Sequence, residues 1–327
     1  MKAIVYYSYG SPDVLEFKEV EKPVPKDDEV LIKVRAASVN PLEWHFMRGK
    51  PYFMRLMGIG LLKPKNNILG VDIAGRVEAV GRNVKRFQPG DEVFGGSNSG
   101  GGYADYACVD EDRLAPKPKG TTFEEAAAIP IAAITALQGL RDKGEIQSGQ
   151  KVLINGAGGG VGTFAVQIAK SFGAEVTGVC STEKLEMVSS LGADRVIDYT
   201  QEDFTENGER YDLIFDAAAY RLISDYKRAL SPNGIYVMIG GSMSLMFRIM
   251  FSGPWLSMTG SKKFFVLMAK ITDKDLVFLK ELFEAGKVKS IIDRRYPLSE
   301  VAEAIRYLEE GHARGKAVIT LEHDSKT

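Results

Sequence analysis

A glycine-rich loop between a predicted strand and a predicted helix constrains this chain more than any other feature. The loop has the sequence NGAGGGVG over 155–162, and it follows directly from the apolar run KVLIN at 151–155. After the loop, apolar side chains recur at the spacing of one helical face: Val161, Phe164, Ala165, Ile168, Ala169 and Phe172. A strand, a glycine turn and a helix in this order form the context that a dinucleotide-binding motif requires.

The loop follows the spacing of the dinucleotide fingerprint except at its first position. Glycine is expected at i, i+2 and i+5, and Ala157, Gly159 and Gly162 occupy those places. The missing Cβ at Gly159 allows the backbone to approach a pyrophosphate, and Gly162 allows the helix to pack close to the strand. We therefore predict these cofactor contacts in the loop: Gly156, Ala157, Gly158, Gly159, Gly160 and Val161.

Strands and helices alternate after the loop. The run AEVTGVC at 174–180 predicts a second strand, and Leu185, Val188 and Leu191 mark a second helix that Gly192 ends. Three more predicted strands begin at 194, 211 and 234, with the sequences DRVIDY, YDLIFD and GIYVMIG. This βαβαβ pattern predicts a parallel sheet with helices on both faces.

The chain before the loop has a different pattern, with short predicted strands separated by Pro and Gly. Strands are predicted over 30–36, 71–81 and 103–109, and frequent Pro and Gly between them favour a barrel-like β domain. A buried helix is predicted over 126–140, in the run AAAIPIAAITALQGL. The C-terminal part predicts helices over 273–285 and 299–310, the first with a capping box from Thr272 to Asp275, and a last strand KAVITL.

Charge and cysteine content exclude several classes of function. The 327 residues carry 42 Lys and Arg against 43 Asp and Glu, a formal net charge of −1, so no basic field favours nucleic acid or anionic lipid. Two cysteines, Cys108 and Cys180, cannot form a disulfide framework or a four-cysteine zinc site. The N-terminus has no basic segment followed by a long apolar run, so we expect a cytoplasmic protein.

The longest apolar stretch, residues 240–260, is about long enough to cross a bilayer as a helix. Arg248, Pro254 and several Gly and Ser make it a poor membrane span. We expect no span, but a buried subunit contact or the wall of a substrate pocket, with peripheral membrane contact as an alternative.

Residues after the second predicted strand bear on the choice between NAD and NADP. An acid about 20 residues past the loop normally accepts the ribose 2′-hydroxyl of NAD, and here Ser181 takes that place. Ser181 and Thr182 could donate to a 2′-phosphate and Lys184 could pair with it, so the sequence favours NADP(H). As alternatives, Lys184 is a solvated side chain, and Asp198 or Asp216 serves the ribose.

Further segments resemble a known superfamily. The runs LGVDIAGRVEAVGRNVKRFQPGDEVFG, AAIPIAAITALQGL and GKAVI are similar to the signature of the medium-chain dehydrogenase/reductase superfamily. With the AGGGVG loop and the run SVNPLEW, the chain resembles its zinc-free quinone oxidoreductase branch, including the group related to reticulon-4-interacting protein 1. The resemblance implies an α/β protein with a GroES-like β-barrel catalytic domain over 1–127 and 272–327. It also implies a doubly wound Rossmann domain that binds NADP over 128–271.

The resemblance also bears on zinc. Asn40 takes the place where zinc-dependent members carry a ligand cysteine, and Val71-Asp72 takes the place of their His-Glu pair. The lobe with four closely spaced cysteines is replaced by GGSNSGGGY at 95–103. The histidines have no metal-ligand spacing: His45, His312 and His323. We therefore expect no metal.

Without zinc to assist removal of the alcohol proton, alcohol oxidation is disfavoured. A quinone or an α,β-unsaturated carbonyl accepts hydride at carbon and spreads charge onto oxygen, so hydrogen-bond donors suffice. We predict a metal-independent, NADPH-dependent reductase of such a small molecule, with the proton supplied by solvent or a tyrosine.

By resemblance, Asn40 lies beside the nicotinamide in the cleft between the domains and donates to substrate or cofactor; its alternative role is to hold the Asn-Pro turn. Tyr52 is a candidate donor to a substrate oxygen, or else an aromatic that packs a lid. The resemblance further implies these cofactor contacts: Thr135, Tyr199, Gly240, Gly241, Arg314 and Lys316. Arg314 and Lys316 are alternatively solvated charges.

Two other functions stay open. A metal-free alcohol dehydrogenase would need a strong base near Asn40, and none is evident in the sequence. An NADPH-binding sensor, assembly factor or RNA-binding protein with little turnover fits relatives in this branch, although the neutral charge disfavours RNA. The family implies a homodimer through sheet edges of the cofactor domain. The physiological acceptor is left open, because the expected pocket residues, 44–66 and 242–262, are the least family-like.

Overall fold

The computed structural model of this chain describes residues 1–52, 54–97, 100–259 and 261–322. The chain divides into two compact units. The first comprises Met1–Ile131, Ile271–Ala285 and the segment from Ser290 onward, and the second comprises Ala132–Lys270 and Gly286–Lys289. Among the described residues, the second unit has one six-stranded sheet, and the first has a larger sheet and a separate antiparallel pair of strands, in keeping with the different residue patterns of the two parts of the sequence.

The strands are named in chain order over the described residues: β1 (Lys2–Val5), β2 (Glu16–Glu19), β3 (Glu29–Val39), β4 (Asp72–Val80), β5 (Glu92–Gly96), β6 (Tyr106–Asp110), β7 (Leu114–Pro116), β8 (Lys151–Asn155), β9 (Glu175–Cys180), β10 (Arg195–Asp198), β11 (Tyr211–Asp216), β12 (Leu230–Met238), β13 (Lys263–Val266), β14 (Ile292–Pro297) and β15 (Lys316–Thr320). The α-helices of the same residues are α1 (Pro41–Arg48), α2 (Phe123–Ala127), α3 (Pro130–Leu137), α4 (Gly160–Ser171), α5 (Leu185–Ser190), α6 (Ile223–Ala229), α7 (Met243–Thr259), α8 (Asp273–Glu284) and α9 (Val301–Glu309).

The second unit contains the predicted parallel sheet. Its strands lie in the order β10-β9-β8-β11-β12-β13, and neighbouring strands pair in parallel throughout. The chain proceeds from β8 to β9 and β10 on one side, then returns and adds β11, β12 and β13 on the other. This reversal places the topological switch point at the carboxyl ends of β8 and β11, where open α/β sheets bind ligands.

The first unit is built on a mainly antiparallel sheet. Its strands lie in the order β14-β15-β3-β4-β5-β7, and β6 also pairs with β3. The long central strand β3 pairs with β4 along most of its length, with β6 near its beginning and with β15 near its end. Because α1 begins directly after β3, the start of this helix lies where β3, β4 and β15 meet.

Apolar side chains fill the core of each unit. In the first unit, the buried cluster draws on the central strands and on α9, and includes Ile32, Ile73, Tyr103, Ile305 and Ile319. In the second unit, it draws on the parallel strands and on α6 and α7, and includes Leu153, Ile214, Tyr226, Tyr236 and Ile249. Helix α8 begins as predicted, with the N–H of Asp275 donating to the Thr272 hydroxyl at 3.2 Å.

Two predicted elements differ in the structure. The single helix expected over 126–140 is divided into α2 and α3, because Pro130 has no N–H to continue a helix and is well suited to begin one. The apolar stretch 240–260 contains helix α7, which its Gly, Ser and Pro content concealed. Leu245 and Ile249 of this helix are buried, whereas Phe251 is 79% exposed. Among the described helices, none combines the length and apolar character that a membrane span needs.

Candidate functional site

The glycine loop connects β8 to α4 and is anchored to the end of β9. Gly156 has a φ of 81°, a conformation that glycine adopts without the steric cost of a Cβ. The N–H groups of Gly156 and Ala157 both donate to the carbonyl oxygen of Val179, at 3.1 and 2.9 Å. The N–H of Gly159 then donates to the carbonyl oxygen of Gly156 at 3.1 Å. These bonds hold the loop at the carboxyl ends of two neighbouring strands.

Two glycines of the loop differ in what surrounds their α-carbons. A Cβ at Gly162 would lie 2.1 Å from the Gly156 oxygen and 2.7 Å from the Ala157 Cα, so α4 packs directly on the loop. A Cβ at Gly159 would meet nothing closer than the Gly156 oxygen at 3.5 Å. Gly159 caps the N-terminus of α4, where unpaired N–H groups and the helix dipole favour an anion. This arrangement fits the pyrophosphate of a dinucleotide.

A buried polar cluster fixes the switch point beside the loop. The Asn155 Nδ2 donates to Asp216 Oδ1 at 2.8 Å and to the Ala218 carbonyl oxygen at 3.0 Å. The Tyr236 hydroxyl donates to Asp216 Oδ2 at 2.9 Å, and the Ala218 N–H donates to Oδ1 at 3.0 Å. Burial raises the pKa of Asp216, and these donors oppose that rise. Both oxygens of Asp216 are therefore occupied by the protein itself.

The ends of β9 and β10 bring together residues predicted to select NADP(H). The Thr182 hydroxyl donates to Asp198 Oδ2, and Thr200 donates to Oδ1 through its N–H at 2.9 Å and its hydroxyl at 2.8 Å. These bonds lower the pKa of Asp198, the Thr182 hydroxyl contributing most. Because a hydroxyl has one hydrogen, Thr182 in this arrangement presents only lone pairs to a ligand.

Lys184 lies against the glycine loop. Its side chain is only 8% exposed, and a Cβ at Gly158 would meet the Lys184 Cβ, Cγ and Cδ at 3.0, 3.2 and 2.6 Å. The alkyl stem of Lys184 thus covers Gly158, a contact that the sequence did not predict. Ser181 and Tyr199 directly follow β9 and β10, and the Tyr199 side chain is exposed.

Gly240 and Gly241 follow β12 and lie beside the segment after β11. Gly241 has a φ of 116°, and a Cβ there would lie 2.4 Å from the N and O atoms of Ala219. The Ala219 N–H donates to the Gly240 oxygen at 3.1 Å, and the Ser242 N–H donates to the Ala219 oxygen at 2.8 Å. The close approach seen at these glycines is to their own chain, so a contact with nicotinamide stays a prediction. Thr135 is buried in α3 of the same unit.

In the first unit, Asn40 lies within a buried polar cluster where β3, β4 and β15 meet. The Asn40 Nδ2 donates to Asp72 Oδ2 at 2.9 Å, and the Lys316 Nζ donates to Asn40 Oδ1. The Lys316 Nζ also lies 3.7 Å from Asp72 Oδ2. Asp72 accepts two further bonds, from the Ser38 hydroxyl at 2.8 Å and from the Ile131 N–H at 3.0 Å. The structure therefore brings two predicted site residues, Asn40 and Lys316, into direct contact.

Glu43 connects this cluster to the start of β4. Its Oε2 accepts the N–H of Asn40 at 2.8 Å, and its Oε1 accepts the N–H of Val71 at 3.1 Å. The Asn40 Nδ2 lies 3.5 Å from the same Oε1. Glu43 occupies the third position of α1, so its bond to the N–H of the residue that caps the helix is half of a capping box. Sequence reasoning did not single out Glu43, although Asn, Pro and Glu at 40, 41 and 43 carry that signature.

Burial of three ionisable groups side by side shifts their pKa values. Burial and the Asp72 carboxylate raise the pKa of Glu43 to about 7. Burial also raises the pKa of Asp72, a rise that the Lys316 ammonium opposes. Burial lowers the pKa of Lys316, while Asp72 and Glu43 favour its charged form. The cluster therefore contains a carboxyl group that changes protonation near neutral pH.

Tyr52 lies in the segment after α1 and is 66% exposed. The Arg55 guanidinium carbon lies 5.0 Å from the Tyr52 ring centroid and 4.2 Å from that of Tyr9. The Tyr9 hydroxyl in turn lies 2.6 Å from the Gly60 oxygen and 3.0 Å from the Ile59 oxygen. Tyr9 and Arg55, which the sequence analysis did not identify, therefore organise the segment that carries Tyr52.

Arg314 and Lys316 have different surroundings, although the sequence predicts the same role for both. Arg314 is exposed, and its backbone N–H donates to Asp293 Oδ2 at 2.8 Å. Lys316 is buried among polar groups of its own unit. A cofactor contact stays a prediction for both residues.

Within the described ranges, no group of three or more His, Cys, Asp or Glu side chains is arranged to hold a metal ion. The His45 Nδ1 contacts the Lys50 carbonyl oxygen at 3.1 Å. His323, and positions 98 and 99 in the run 95–103, lie outside the described residues. Metal independence therefore stays a prediction. Cys108 and Cys180 are free thiols, and burial raises the pKa of each to about 11.

Two family descriptions match large parts of the chain. Residues 26–119 match "Alcohol dehydrogenase GroES-like domain", and residues 191–319 match "Zinc-binding dehydrogenase". The first match lies in the unit that contains Asn40, and the second begins directly after α5 and ends in β15.

Curated relatives extend over nearly the whole chain. The 2-methylene-furan-3-one reductase of Solanum lycopersicum is 38% identical over 98% of this chain and 79% of its own. The chloroplastic NADPH-dependent alkenal/one oxidoreductase of Arabidopsis thaliana is 36% identical, with the same coverage of 98% and 79%. The mitochondrial NAD(P)H oxidoreductase RTN4IP1 of Mus musculus is 32% identical over 98% of this chain and 89% of its own.

Solved structures share the fold. The quinone oxidoreductase from Coxiella burnetii superimposes with a TM-score of 0.88 at 30% identity, covering 98% of this chain and 99% of its own. Its agreement extends over both units, as does that of the curated relatives.

Proposed function

The chain belongs to the medium-chain dehydrogenase/reductase superfamily, and we propose that it is an NADPH-dependent reductase that transfers hydride to a quinone or an α,β-unsaturated carbonyl without a metal. Its membership confirms the resemblance found in the sequence, and with it the predicted α/β fold of a GroES-like domain and a Rossmann domain. The relatives that cover 98% of the chain are named as reductases or oxidoreductases, which supports an enzyme rather than a binding protein.

The observation that carries the proposal is the loop between β8 and α4. Gly162 packs the helix onto the loop, while Gly159 leaves open space at the helix N-terminus. We assign the cofactor pyrophosphate to this open position, with the backbone of 156–161 around it. When bound, a reduced nicotinamide supplies the hydride.

The substrate class follows from the relatives. An alkenal or enone and a quinone share a conjugated carbonyl, and these are the substrates that the relatives' names print. Hydride addition at carbon moves negative charge onto the carbonyl oxygen of such an acceptor, so a donor aimed at that oxygen lowers the barrier. The chain therefore needs a hydrogen-bond donor at the carbonyl oxygen of the acceptor, whereas alcohol oxidation would need a strong base.

We assign that donor role first to Asn40. The Nδ2 of Asn40 has two hydrogens: Asp72 takes one at 2.9 Å, and the other has only the 3.5 Å contact with Glu43. One oxyanion donor of this kind contributes about 3 kcal/mol to catalysis. Tyr52 is the second candidate, because its exposed ring lies on a segment that Arg55 and Tyr9 hold in place. Solvent supplies the proton that completes the reduction.

The donor set supports a reaction without a metal. Asn40 and Asp72 are bonded to each other, and Asp72 accepts further bonds from Ser38 and Ile131. Val71, the neighbour of Asp72, is apolar and offers no ligand atom from its side chain. These positions are the ones where zinc-dependent members carry their ligands, so the residues present fit a hydrogen-bonding site better than a zinc site.

NADPH is proposed over NADH because of Lys184. The alkyl stem of Lys184 packs on Gly158, so this lysine lies beside the glycine loop at the carboxyl end of the sheet. Ser181 takes the place of the acid that would repel a 2′-phosphate. Thr182 is a weaker candidate than Lys184, because its hydroxyl hydrogen is directed to Asp198.

Two further parts of the proposal concern the setting of the enzyme. We propose a homodimer, since β13 forms an edge of the parallel sheet, and size-exclusion chromatography with light scattering tests it. We also propose a cytoplasmic location, which cell fractionation tests. Relatives bear names that place them in chloroplasts or mitochondria, so an organellar result would replace this part only.

The experiment is a steady-state assay of NADPH oxidation with a panel of quinones and short-chain enones, with NADH in parallel. Acceptor-dependent oxidation of NADPH that exceeds that of NADH is the expected result. Asn40→Ala should then reduce kcat by about a hundredfold, the effect of one lost oxyanion donor. Saturable NADPH binding without turnover on any acceptor would contradict the proposed reaction and favour a sensor or assembly role.

A further inference from the structure

Lys316 directs its ammonium into the interior of the first unit. The side chain is 3% exposed, and its Nζ contacts the Val39 carbonyl oxygen at 3.3 Å, Asn40 Oδ1, and Asp72 Oδ2 at 3.7 Å. A buried ammonium is stable only when it is paired and hydrogen-bonded. Two of these oxygens accept hydrogen bonds from Lys316, and the Asp72 carboxylate at 3.7 Å balances its charge, so the ammonium is held by groups of its own unit.

The two partners of the Asn40 carboxamide differ in kind. A lysine ammonium only donates hydrogen bonds, and a carboxylate only accepts them. Asn40 Oδ1 faces Lys316, and Asn40 Nδ2 faces Asp72 at 2.9 Å. Rotating the carboxamide by half a turn would place its NH₂ against the ammonium and its oxygen against the carboxylate. Two buried bonds would be lost, so a single orientation of the amide is favoured.

The backbone of Asn40 is fixed independently of its side chain. Glu43 accepts the N–H of Asn40 at 2.8 Å and the N–H of Val71 at 3.1 Å, which joins the end of β3 to the start of β4. Removal of the Lys316 ammonium would therefore leave the position of Asn40 in place. What would change is the direction in which the carboxamide presents its donor.

We propose that Lys316 is a positioning residue, which together with Asp72 fixes the Asn40 carboxamide in one orientation. In that orientation Nδ2 is the donor for the reacting partner, and its second hydrogen has only the long 3.5 Å contact with Glu43 Oε1 to give up. The inference rests on the proposed function, because it takes Asn40 as the donor in that reaction. The sequence predicts a cofactor contact for Lys316. The proposal instead has Lys316 act through Asn40, without touching the cofactor or the substrate.

The first test is Lys316→Met, which keeps the length of the side chain and removes its charge and donors. We expect kcat to fall about tenfold or more, while the KM and the Kd for NADPH change less than about twofold. Lys117→Met is the matched control, since Lys117 is also a mostly buried lysine of the first unit beside a carboxylate, at 3.4 Å from Glu92. The control should lose stability without loss of kcat. A rise in the Kd for NADPH with unchanged kcat in Lys316→Met would overturn the proposal in favour of a cofactor contact.

A second readout does not depend on turnover. In the ¹⁵N-labelled protein, the Asn40 carboxamide, assigned by its absence from Asn40→Ala, should give two distinct and slowly exchanging proton signals. In Lys316→Met the two signals should broaden and exchange faster with solvent, because the amide gains a second orientation. Unchanged amide signals in Lys316→Met would overturn the proposal, whether or not the parent chain reduces an acceptor. Failure of the parent chain to reduce any acceptor would instead count against the proposed function, and would leave this result valid.

If Lys316→Met does not fold, the double variant Asp72→Asn with Lys316→Met keeps the test. It removes one negative and one positive charge together, so most of the stability should return. The low kcat and the broadened amide signals should persist in the double variant. It lacks both the ammonium, which only donates hydrogen bonds, and the carboxylate, which only accepts them, so nothing fixes the Asn40 amide. Recovery of kcat and of two sharp amide signals would show that Lys316 acts only by balancing charge.

Discussion

The carbonyl oxygen of Gly156 lies so close to the α-carbon of Gly162 that a Cβ at position 162 would be 2.1 Å from it. No real Cβ tolerates such a contact with backbone, so the start of α4 and the turn after β8 form one closely packed unit. Gly159, three residues earlier, has open space instead, with 3.5 Å to the nearest atom. The two glycines of the motif therefore have different roles: Gly162 allows close packing of α4 on the loop, and Gly159 leaves space for a ligand at the helix N-terminus.

This difference predicts opposite effects of the same substitution. Gly162→Ala should lower the free energy of unfolding by about 2 kcal/mol or more, because the added methyl group forces α4 away from the loop. Gly159→Ala should cost less than about 1 kcal/mol, since the space is open and only the helix cap is weakened. Its Kd for NADPH should nevertheless rise at least about tenfold, the effect of one lost close contact with an anion. Urea denaturation and fluorescence titration measure the two quantities. Unchanged NADPH binding in Gly159→Ala would place the pyrophosphate elsewhere.

Lys184 provides a test of cofactor choice. Lys184→Met keeps the alkyl packing on Gly158 and removes the charge, so the fold should be retained. The Kd for NADPH should rise by about one to two decades, the value of a charge-assisted bond, while the Kd for NADH stays constant. Lys151→Met, at the opposite end of β8, is the matched control and should leave both constants unchanged. An equal loss of affinity for both cofactors would show that Lys184 does not contact the 2′-phosphate.

Sequence periodicity predicted the parallel sheet more closely than the rest of the fold. The runs KVLIN and YDLIFD coincide with β8 and β11, because strands buried on both faces are short, continuous apolar runs between polar ends. Strand β14 was missed, since none of IDRRYP is fully buried and the segment carries no such run. Helix α7 was missed because Gly, Ser and Pro interrupt its apolar run and obscure the helical period.

The site shows the same limit. Local spacing predicted the glycine loop, because all of its parts lie within eight residues. The cluster around Asn40 depends on partners 32 residues away at Asp72 and 276 residues away at Lys316. These side chains meet only because β4 and β15 pair with β3 in a particular register, which sequence patterns do not encode.

Glu43 predicts an unusual dependence of stability on pH. Its pKa is raised by burial to about 7 in the folded chain, from a usual 4.5. Between these values the folded chain binds more protons than the unfolded chain. The free energy of unfolding should therefore fall as the pH rises from about 4.5 to about 7, by up to about 1.4 kcal/mol per pH unit, and be independent of this group above that range.

Glu43→Gln should remove this slope. Relative to the parent, the variant should become steadily more stable as the pH rises through the same window, as urea denaturation at several pH values will show. Glu125→Gln is the matched control for loss of the capping bond, because Glu125 accepts the N–H of Thr122 at 2.7 Å in the corresponding capping box of α2, at a less buried position. A parent and a Glu43→Gln variant with parallel pH profiles would contradict the raised pKa.

Two tyrosines of the parallel sheet test whether the cluster at the switch point stabilises the fold. The buried Tyr236 hydroxyl donates to Asp216 at 2.9 Å, whereas the buried Tyr211 hydroxyl has no hydrogen-bond partner within the described residues. Tyr236→Phe removes one donor from a buried carboxylate that the Tyr226 hydroxyl also approaches, so the free energy of unfolding should fall by about 1–2 kcal/mol. Tyr211→Phe removes a buried hydroxyl that has only weak contacts with Asn207 and Thr177, so the change should be near zero. Both values come from urea denaturation of single variants. Equal losses in the two variants would mean that the bond from Tyr236 to Asp216 contributes no more to stability than the Tyr211 hydroxyl does.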